Sequence, residues 1–171
     1  EPQDLWLIYI PKNAIALDDY PAIQPHLLPF KEALEKRATK QAWIELQQAQ
    51  AAYVPAFEAP KVFYPDMSQG PKFSLDPRGY YMGNTGYFVP NADWFLLGLM
   101  NSRIVWHHLC GTADALRGGE WRLRLFSENV ETIPIPTASN AQRQEIARLA
   151  EDCQRTAETR RAAQTDFCRR I

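Results

Sequence analysis

The spacing of hydrophobic and polar positions changes several times along the chain, and each change predicts a different element. Residues 5–10 form a short apolar and aromatic run that ends at Pro11, which predicts a buried strand. Residues 20–37 carry apolar side chains at helical spacing, and the prolines near the front of this segment place the start of a regular helix near Pro25. A second short helix is expected over residues 42–50. The N-terminal third is therefore predicted to contain one strand and two helices.

The middle of the chain has the short apolar runs and turn residues of a β-rich segment. Residues 121–126 alternate strictly, which predicts a half-exposed strand with Arg122 and Arg124 on one face and apolar side chains on the other. Turns rich in Pro, Gly and Asn separate the earlier runs. The strands predicted there cover residues 61–64, 72–76, 80–82 and 87–89.

Two more helices are predicted in the second half of the chain. Asn91 can cap a Leu-rich helix that bends near residues 101–102 and ends at Gly111. Residues 139–142 read Ser-Asn-Ala-Gln, a capping-box pattern, and a long C-terminal helix is expected to follow. Its apolar stripe consists of Ile146, Leu149, Cys153 and Ala157. The predicted fold class is α+β: a small, mainly antiparallel twisted sheet flanked by helices, with a long C-terminal helix.

Composition excludes several functional classes. With 46% hydrophobic and 23% charged residues, the chain can bury a core and is not expected to be disordered. A net charge of -1 excludes a generic polybasic coating protein but leaves room for a locally basic surface. The low, odd number of cysteines, 3, fits a reducing cytoplasm, and no apolar run approaches the length of a membrane span. Because the first residue is Glu1 and no signal-peptide pattern follows, we expect a piece of a longer protein.

Common catalytic and metal-binding patterns are missing from the sequence. It has no Gly-rich dinucleotide loop, Walker motif or Ser nucleophile elbow, and it lacks the Asn-Pro-Pro-Tyr and cofactor-glycine motifs of amino-methyltransferases. His107, His108 and Cys110 suggest a metal site, but a structural zinc needs four ligands at defined spacings and no second pair is present. A helix face near the core explains these three residues better. We therefore predict no catalytic residue, no metal and three free thiols, including Cys153 and Cys168.

Four signatures, in this order, resemble one protein family. They are residues 7–10 leading to 27–31 and 34–37; residues 43–46; residues 60–62 with Phe73 and Asp76; and residues 96–102 followed by Ile-Pro-Ile-Pro at 133–136. Together they are similar to the TaqI-like C-terminal specificity domain, the target-recognition part of type IIG restriction-modification enzymes and Eco57I-type adenine-specific DNA methyltransferases. The order of Leu-rich helix, Ile-Pro-Ile-Pro and Gln-containing helix also resembles specificity subunits of type I restriction systems. The resemblance runs from about Leu5 to about Ala150.

This resemblance implies a module that recognises a specific sequence in double-stranded DNA and has no catalytic residue of its own. The methyltransferase domain, which would bind S-adenosylmethionine, and any nuclease would lie in an N-terminal part of the parent chain. No cofactor is therefore expected in this fragment. The implied partners are double-stranded DNA and that methyltransferase domain, with no membrane. Residues 1–138 would be the recognition domain, and residues 139–171 a packing or spacer helix.

Reading base edges requires Arg, Lys, Asn and Gln side chains held on a rigid framework. Residues 61–126 supply such groups, with seven basic and five acidic residues among many aromatics. For each candidate the alternative is an ordinary solvated side chain. The residues expected to face DNA are Lys61, Lys72, Arg78, Asn84, Arg117, Arg122 and Arg124.

Two other functions stay open at this stage. A protein-interaction module would pair the C-terminal helix with a partner helix and would make no direct DNA contact. The apolar stripe favours this, but it fades before the sustained heptads that a coiled coil needs. An enzyme with an unfamiliar site near His107 and His108 is the second alternative.

Overall fold

The computed structural model describes residues 6–47, 51–116 and 118–170, the side chains of 169 and 170 excepted. The chain folds into two compact units, residues 1–55 and 56–171. Helices and antiparallel strands occupy separate stretches of sequence, and a long helix ends the chain, so the predicted α+β class is confirmed. The functional division after residue 138 stays a prediction.

The first unit is built from short helical turns rather than one regular helix. Its helices are α1 (Ile23–Leu27) and α2 (Lys31–Glu35), joined by the 3₁₀ turn Leu28–Phe30, which places Pro29 where its missing N–H costs least. A further 3₁₀ turn covers Leu17–Asp19. The 3₁₀ turn Ala51–Tyr53 and helix α3 (Val54–Glu58) lead into the second unit.

Two of the predicted elements in this unit are wrong. Residues 6–10 have no regular structure and Trp6 is exposed; Leu5 lies outside the described residues. Residues 42–47 form turns instead of a helix, and 48–50 are not described. The reason is Glu45, whose buried carboxylate accepts hydrogen bonds from the backbone N–H groups of Asn13 (2.7 Å) and Ala42 (3.0 Å). These bonds replace helical ones and lower the pKa of Glu45.

The second unit contains two three-stranded antiparallel sheets. The first sheet has the order β3-β1-β4 and the second has the order β2-β6-β5. The strands are β1 (Lys61–Pro65), β2 (Met67–Ser68), β3 (Ser74–Asp76), β4 (Gly86–Pro90), β5 (Asp114–Leu116) and β6 (Arg122–Arg124). Four of the five predicted strands are therefore present in whole or in part, whereas residues 80–82 are not a strand.

Asp66 is the corner at which one strand passes from the first sheet to the second. It lies between β1 and β2, and its backbone N–H donates to the carbonyl of Thr85 at 3.0 Å. Its own carbonyl accepts a hydrogen bond from the N–H of Leu125 at 2.7 Å. Because residues 61–68 contribute to both sheets, the position of β6 depends on the path of β1.

Four helices complete the second unit: α4 (Trp94–Met100), α5 (Arg103–Thr112), α6 (Ser127–Glu131) and α7 (Asn140–Arg170). The predicted bend at residues 101–102 is confirmed, because Asn101 ends α4 and the hydroxyl of Ser102 caps α5 by accepting a hydrogen bond from the N–H of Val105. The cap of α4 is Asp93 rather than Asn91, which has a φ of 53°. The capping box is confirmed, since Ser139 and Gln142 exchange side-chain-to-backbone hydrogen bonds of 2.9 and 3.3 Å.

Helix α7 packs on α4 through a face that the sequence pattern did not indicate. Ala150 is buried and Ile146 half-buried there, next to Gly98 of α4. The predicted stripe is wrong beyond Ile146, because Leu149, Cys153 and Ala157 are all exposed. Gly98 of α4 has no side chain, so α7 can approach it closely with the small side chain of Ala150. Ala150 is therefore buried at this contact, and Leu149 is exposed.

Two amide side chains complete the open edge of β3. Asn101 accepts from the N–H of Phe73 (3.2 Å) and donates to its carbonyl (3.0 Å). Gln154 of α7 makes the same pair of bonds with Leu75, at 2.9 and 2.8 Å. Each amide therefore replaces a neighbouring strand, which closes this edge to pairing with other chains.

Gly98→Ala should destabilise the protein although alanine favours helix. A Cβ at Gly98 would lie 2.6 Å from Cγ2 of Ile146 and 3.3 Å from its carbonyl oxygen, and this overpacking should cost about 1–3 kcal/mol. The gain in helix propensity is at most about 1 kcal/mol. Gly111→Ala is the matched control, because a Cβ there meets no atom within 4 Å and should stabilise α5. Urea unfolding measures both; equal midpoints for the two variants would contradict the packing described.

Candidate nucleic-acid interface

The outer face of the second sheet carries the predicted pair of arginines. Leu123 and Leu125 are fully buried while Arg122 and Arg124 are exposed, so the predicted alternation is confirmed in β6. Trp121, which the alternation places on the buried face, precedes the strand and is instead 47% exposed.

Residues directly across the strands share this outer face with the arginines. Arg124 lies opposite Met67 of β2 and Asp114 of β5, and Arg122 lies opposite Leu116. Met67 is exposed. The face therefore combines two cations with apolar surface and one carboxylate.

The two arginines differ in how firmly they are held. The Nε of Arg124 lies 3.4 Å from Oδ1 of Asp66, and its guanidinium carbon lies 4.7 Å from the ring centre of Phe126. Arg122 has no ion-pair or hydrogen-bond partner among the residues that the structure describes. Arg124 is therefore pre-oriented, whereas Arg122 is available to an incoming anion or base edge.

The turn between β5 and β6 stands at one end of this face. Gly118 and Gly119 both have positive φ, at 142° and 88°, which glycine adopts without steric cost. The side chain of Glu120 accepts a hydrogen bond from Gln69 at 2.6 Å and so links the turn to the end of β2. Arg117, which was expected to face DNA, lies outside the described residues.

The remaining exposed candidates belong to loops of the first sheet. Lys72 precedes β3, Arg78 follows it, and Asn84 lies in the turn before β4. A hydrogen bond with Tyr80 raises the pKa of the Arg78 guanidinium, which remains charged. Among the described candidates the set is thus divided between two sheets, and of these Arg122 and Arg124 share one face.

Lys61 is not a DNA-facing residue, and this part of the prediction is wrong. Its side chain is fully buried, with Nζ 2.7 Å from Oδ2 of Asp76 and a further hydrogen bond to the carbonyl of Phe57. Asp76 also accepts from the backbone N–H groups of Arg78 (2.8 Å) and Tyr80 (2.7 Å). The pair therefore shapes the turn that presents Arg78.

The described residues contain no group of three or more His, Cys, Asp or Glu side chains able to hold a metal. His108 contacts the hydroxyl of Thr132 at 2.9 Å, while His107 and Cys110 are exposed along α5. All three cysteines are free. No helix in the described part of the chain is long and apolar enough to cross a membrane.

Sequence reasoning missed two exposed apolar residues at the second sheet: Met67, which lies on the candidate face, and Trp121, which precedes β6. The signal for Trp121 was its place between a Gly-Gly turn and an alternating strand. Met67 had no such signal, because its exposure depends on the corner at Asp66.

Comparison with known proteins shows a distant similarity to a methyltransferase. No protein-family model matches the chain. The chain is 26% identical over 147 residues to the "Type II methyltransferase M.BanIII" of Aneurinibacillus aneurinilyticus. The alignment covers 79% of this chain but 25% of that protein, so the chain spans about a quarter of its relative's length. The chain is thus distantly related to part of a type II methyltransferase.

Lys61→Met should lower the free energy of unfolding by about 3–5 kcal/mol, because it leaves the buried carboxylate of Asp76 without its cation. Lys72→Met makes the same chemical change at an exposed position and should stay within about 0.5 kcal/mol of the wild type. Chemical denaturation of both variants gives the comparison. A Lys61 variant as stable as the Lys72 variant would refute the structural role assigned to this pair.

Proposed function

We propose that this chain is the target-recognition part of a DNA methyltransferase of a restriction-modification system, and that it reads a specific sequence in double-stranded DNA. The observation that carries the proposal is the alignment of most of the chain with about a quarter of a type II methyltransferase. The signatures shared with TaqI-like specificity domains support the same assignment. The parent enzyme would methylate adenine with S-adenosylmethionine bound in another domain, and it would act in the cytoplasm.

The chemistry of the second sheet fits this role. A methyltransferase that extrudes its target base needs other contacts to identify the neighbouring base pairs. Arginine is suited to that task because its guanidinium can bind the O6 and N7 atoms of guanine with two hydrogen bonds. Arg122 and Arg124 are exposed on adjacent outward positions of β6, and Arg124 is already oriented by Asp66 and Phe126. Preorientation reduces the entropy lost on binding.

The reading surface that we propose consists of the outer face of the second sheet, with Lys72, Arg78 and Asn84 as further contacts from the loops of the first sheet. The side chains proposed to contact DNA are all exposed: Arg122, Arg124, Lys72, Arg78 and Asn84. Lysine and arginine outside the base-reading positions would hold phosphates, which fixes the register of a protein on DNA without giving sequence information.

A protein-interaction module is the second candidate, and one observation favours it. Residues 155–168 of α7 are all exposed. Within the proposed enzyme, this segment would contact the methyltransferase domain. On the interaction-module hypothesis, the chain would bind that domain and have no measurable affinity for duplex DNA.

Arg122→Ala should weaken binding to a preferred duplex and identify the role of this side chain. Loss of a two-bond contact to guanine should cost about 1–3 kcal/mol and relax specificity at one position. Loss of a phosphate contact should weaken binding to all sequences equally and reduce the salt slope by about one. Selection from a randomised duplex library, followed by titrations at two salt concentrations, distinguishes these results.

Arg148→Ala is the matched control for this experiment. It removes the same charge from an exposed arginine, but one that is already paired with Glu145 and Asp152 on α7. We expect it to bind DNA like the wild type. A wild-type chain without affinity for duplex DNA would overturn the proposed function, and equal losses in the two variants would remove β6 from the reading surface.

A further inference from the structure

We propose that Trp121 stacks on a nucleobase of the bound DNA at a step where the duplex is unstacked. This inference rests on the proposed DNA-reading function and assigns a contact that the polar residues do not supply. It follows from the exposure of Trp121, from the contact between its ring and Trp106, and from the charged residues next to it in sequence.

The ring of Trp121 is held on one side and open on the other. Its centre lies 6.2 Å from that of Trp106, with the two planes at 89°, an edge-to-face contact. Trp106 belongs to α5, which is anchored in the core by Val105 and Leu109. Trp121 itself keeps 47% of its surface exposed. A side chain fixed in this way loses little conformational entropy when a planar ligand covers its free surface.

The turn before Trp121 leaves room for a large ligand to approach. A Cβ added to Gly118 or Gly119 would meet no atom within 4 Å. The immediate surroundings of these two glycines are therefore uncrowded, and the bond from Gln69 to Glu120 ties the base of the turn to β2. The two glycines therefore add no side chain that would obstruct a ligand approaching Trp121.

The charge next to the ring selects the ligand class. Arg122 follows Trp121 directly, and its side chain has no ion-pair or hydrogen-bond partner among the described residues. Glu120 precedes Trp121 and is bonded to Gln69, and Arg124 is paired with Asp66. An exposed aromatic ring beside unpaired arginine suits a ligand that carries a planar ring on an anionic backbone. Nucleic acid has this combination, because each base is attached to a phosphate.

Stacking also predicts a sequence preference that hydrogen bonding does not. Separating two stacked bases costs a few kcal/mol, and pyrimidine–purine steps such as TA and CA separate most easily. Base–aromatic stacking returns a comparable amount, about 1–3 kcal/mol. The free energy gained by stacking on Trp121 and the free energy lost in separating the two bases are nearly equal. We therefore expect Trp121 to favour DNA sites that have an easily separated step where it binds.

The test uses the duplex selected by the wild-type chain, with 2-aminopurine replacing each adenine in turn. Binding of the wild type should raise the 2-aminopurine fluorescence at the base that loses its neighbour at the opened step, whereas a 2-aminopurine stacked on the indole ring of Trp121 should stay quenched. Trp121→Leu keeps an apolar contact with Trp106 but removes the aromatic face. It should abolish the fluorescence rise and lower the affinity by about 5- to 150-fold, the range that base–aromatic stacking energies correspond to. Trp121→Phe should retain most of both signals.

Trp6→Ala is the matched control, because Trp6 is an exposed tryptophan of the first unit. It should bind like the wild type. Thermal unfolding shows whether each variant is folded. If Trp121→Leu is unfolded, the fluorescence and the affinity are measured with Trp121→Phe instead. Wild-type affinity and an unchanged fluorescence rise in the Trp121→Leu variant would overturn the stacking contact alone. Absence of any duplex binding by the wild type would overturn the proposed function with it.

Discussion

The buried ion pair between Lys61 and Asp76 determines the architecture of the second unit. The two residues face each other in the register of β1 and β3, and their charged atoms are 2.7 Å apart with almost no exposure. Burying two charges is costly unless all hydrogen-bonding atoms find partners. Here the carboxylate also accepts two backbone N–H groups and the ammonium also donates to a carbonyl. The pair is therefore satisfied only when the strand register, the turn after β3 and the end of α3 are all formed.

The position of the candidate reading surface depends on the β1–β3 register, because the chain runs directly from β1 into the second sheet. β1 continues through Asp66 into β2, and Asp66 binds the backbone of Leu125 directly after β6. The same residue pairs with the side chain of Arg124. On the opposite edge, Asn101 and Gln154 hold β3 in place by bonding to its backbone. A slip of one residue in β1 would move Arg124 and reverse the faces of its neighbours.

Local patterns predicted the elements that local forces determine. The alternation of residues 122–125, the capping box at 139–142 and the helix break at 101–102 can each be read from neighbours within four residues, and each is present in the structure. The wrong predictions concern residues whose burial is determined by a partner that is distant in sequence. Lys61 resembled a surface cation because nothing near it in sequence reveals that Asp76 will face it. Leu149 resembled a buried position because the sequence of α7 cannot show that Gly98 will accept Ala150 instead.

The residues that carry the family resemblance and those that carry the candidate surface are largely different sets. Asp76 and Asn101 belong to the signatures, and both are engaged in holding strands and turns. Arg122 and Trp121 lie outside the signatures, and both are exposed on or beside the second sheet. A resemblance based on framework residues supports a shared fold and says nothing about which bases are read. On the proposed DNA-reading function, the bases would be identified by side chains outside the four signatures, which is why that function is tested at β6 and the turn before it.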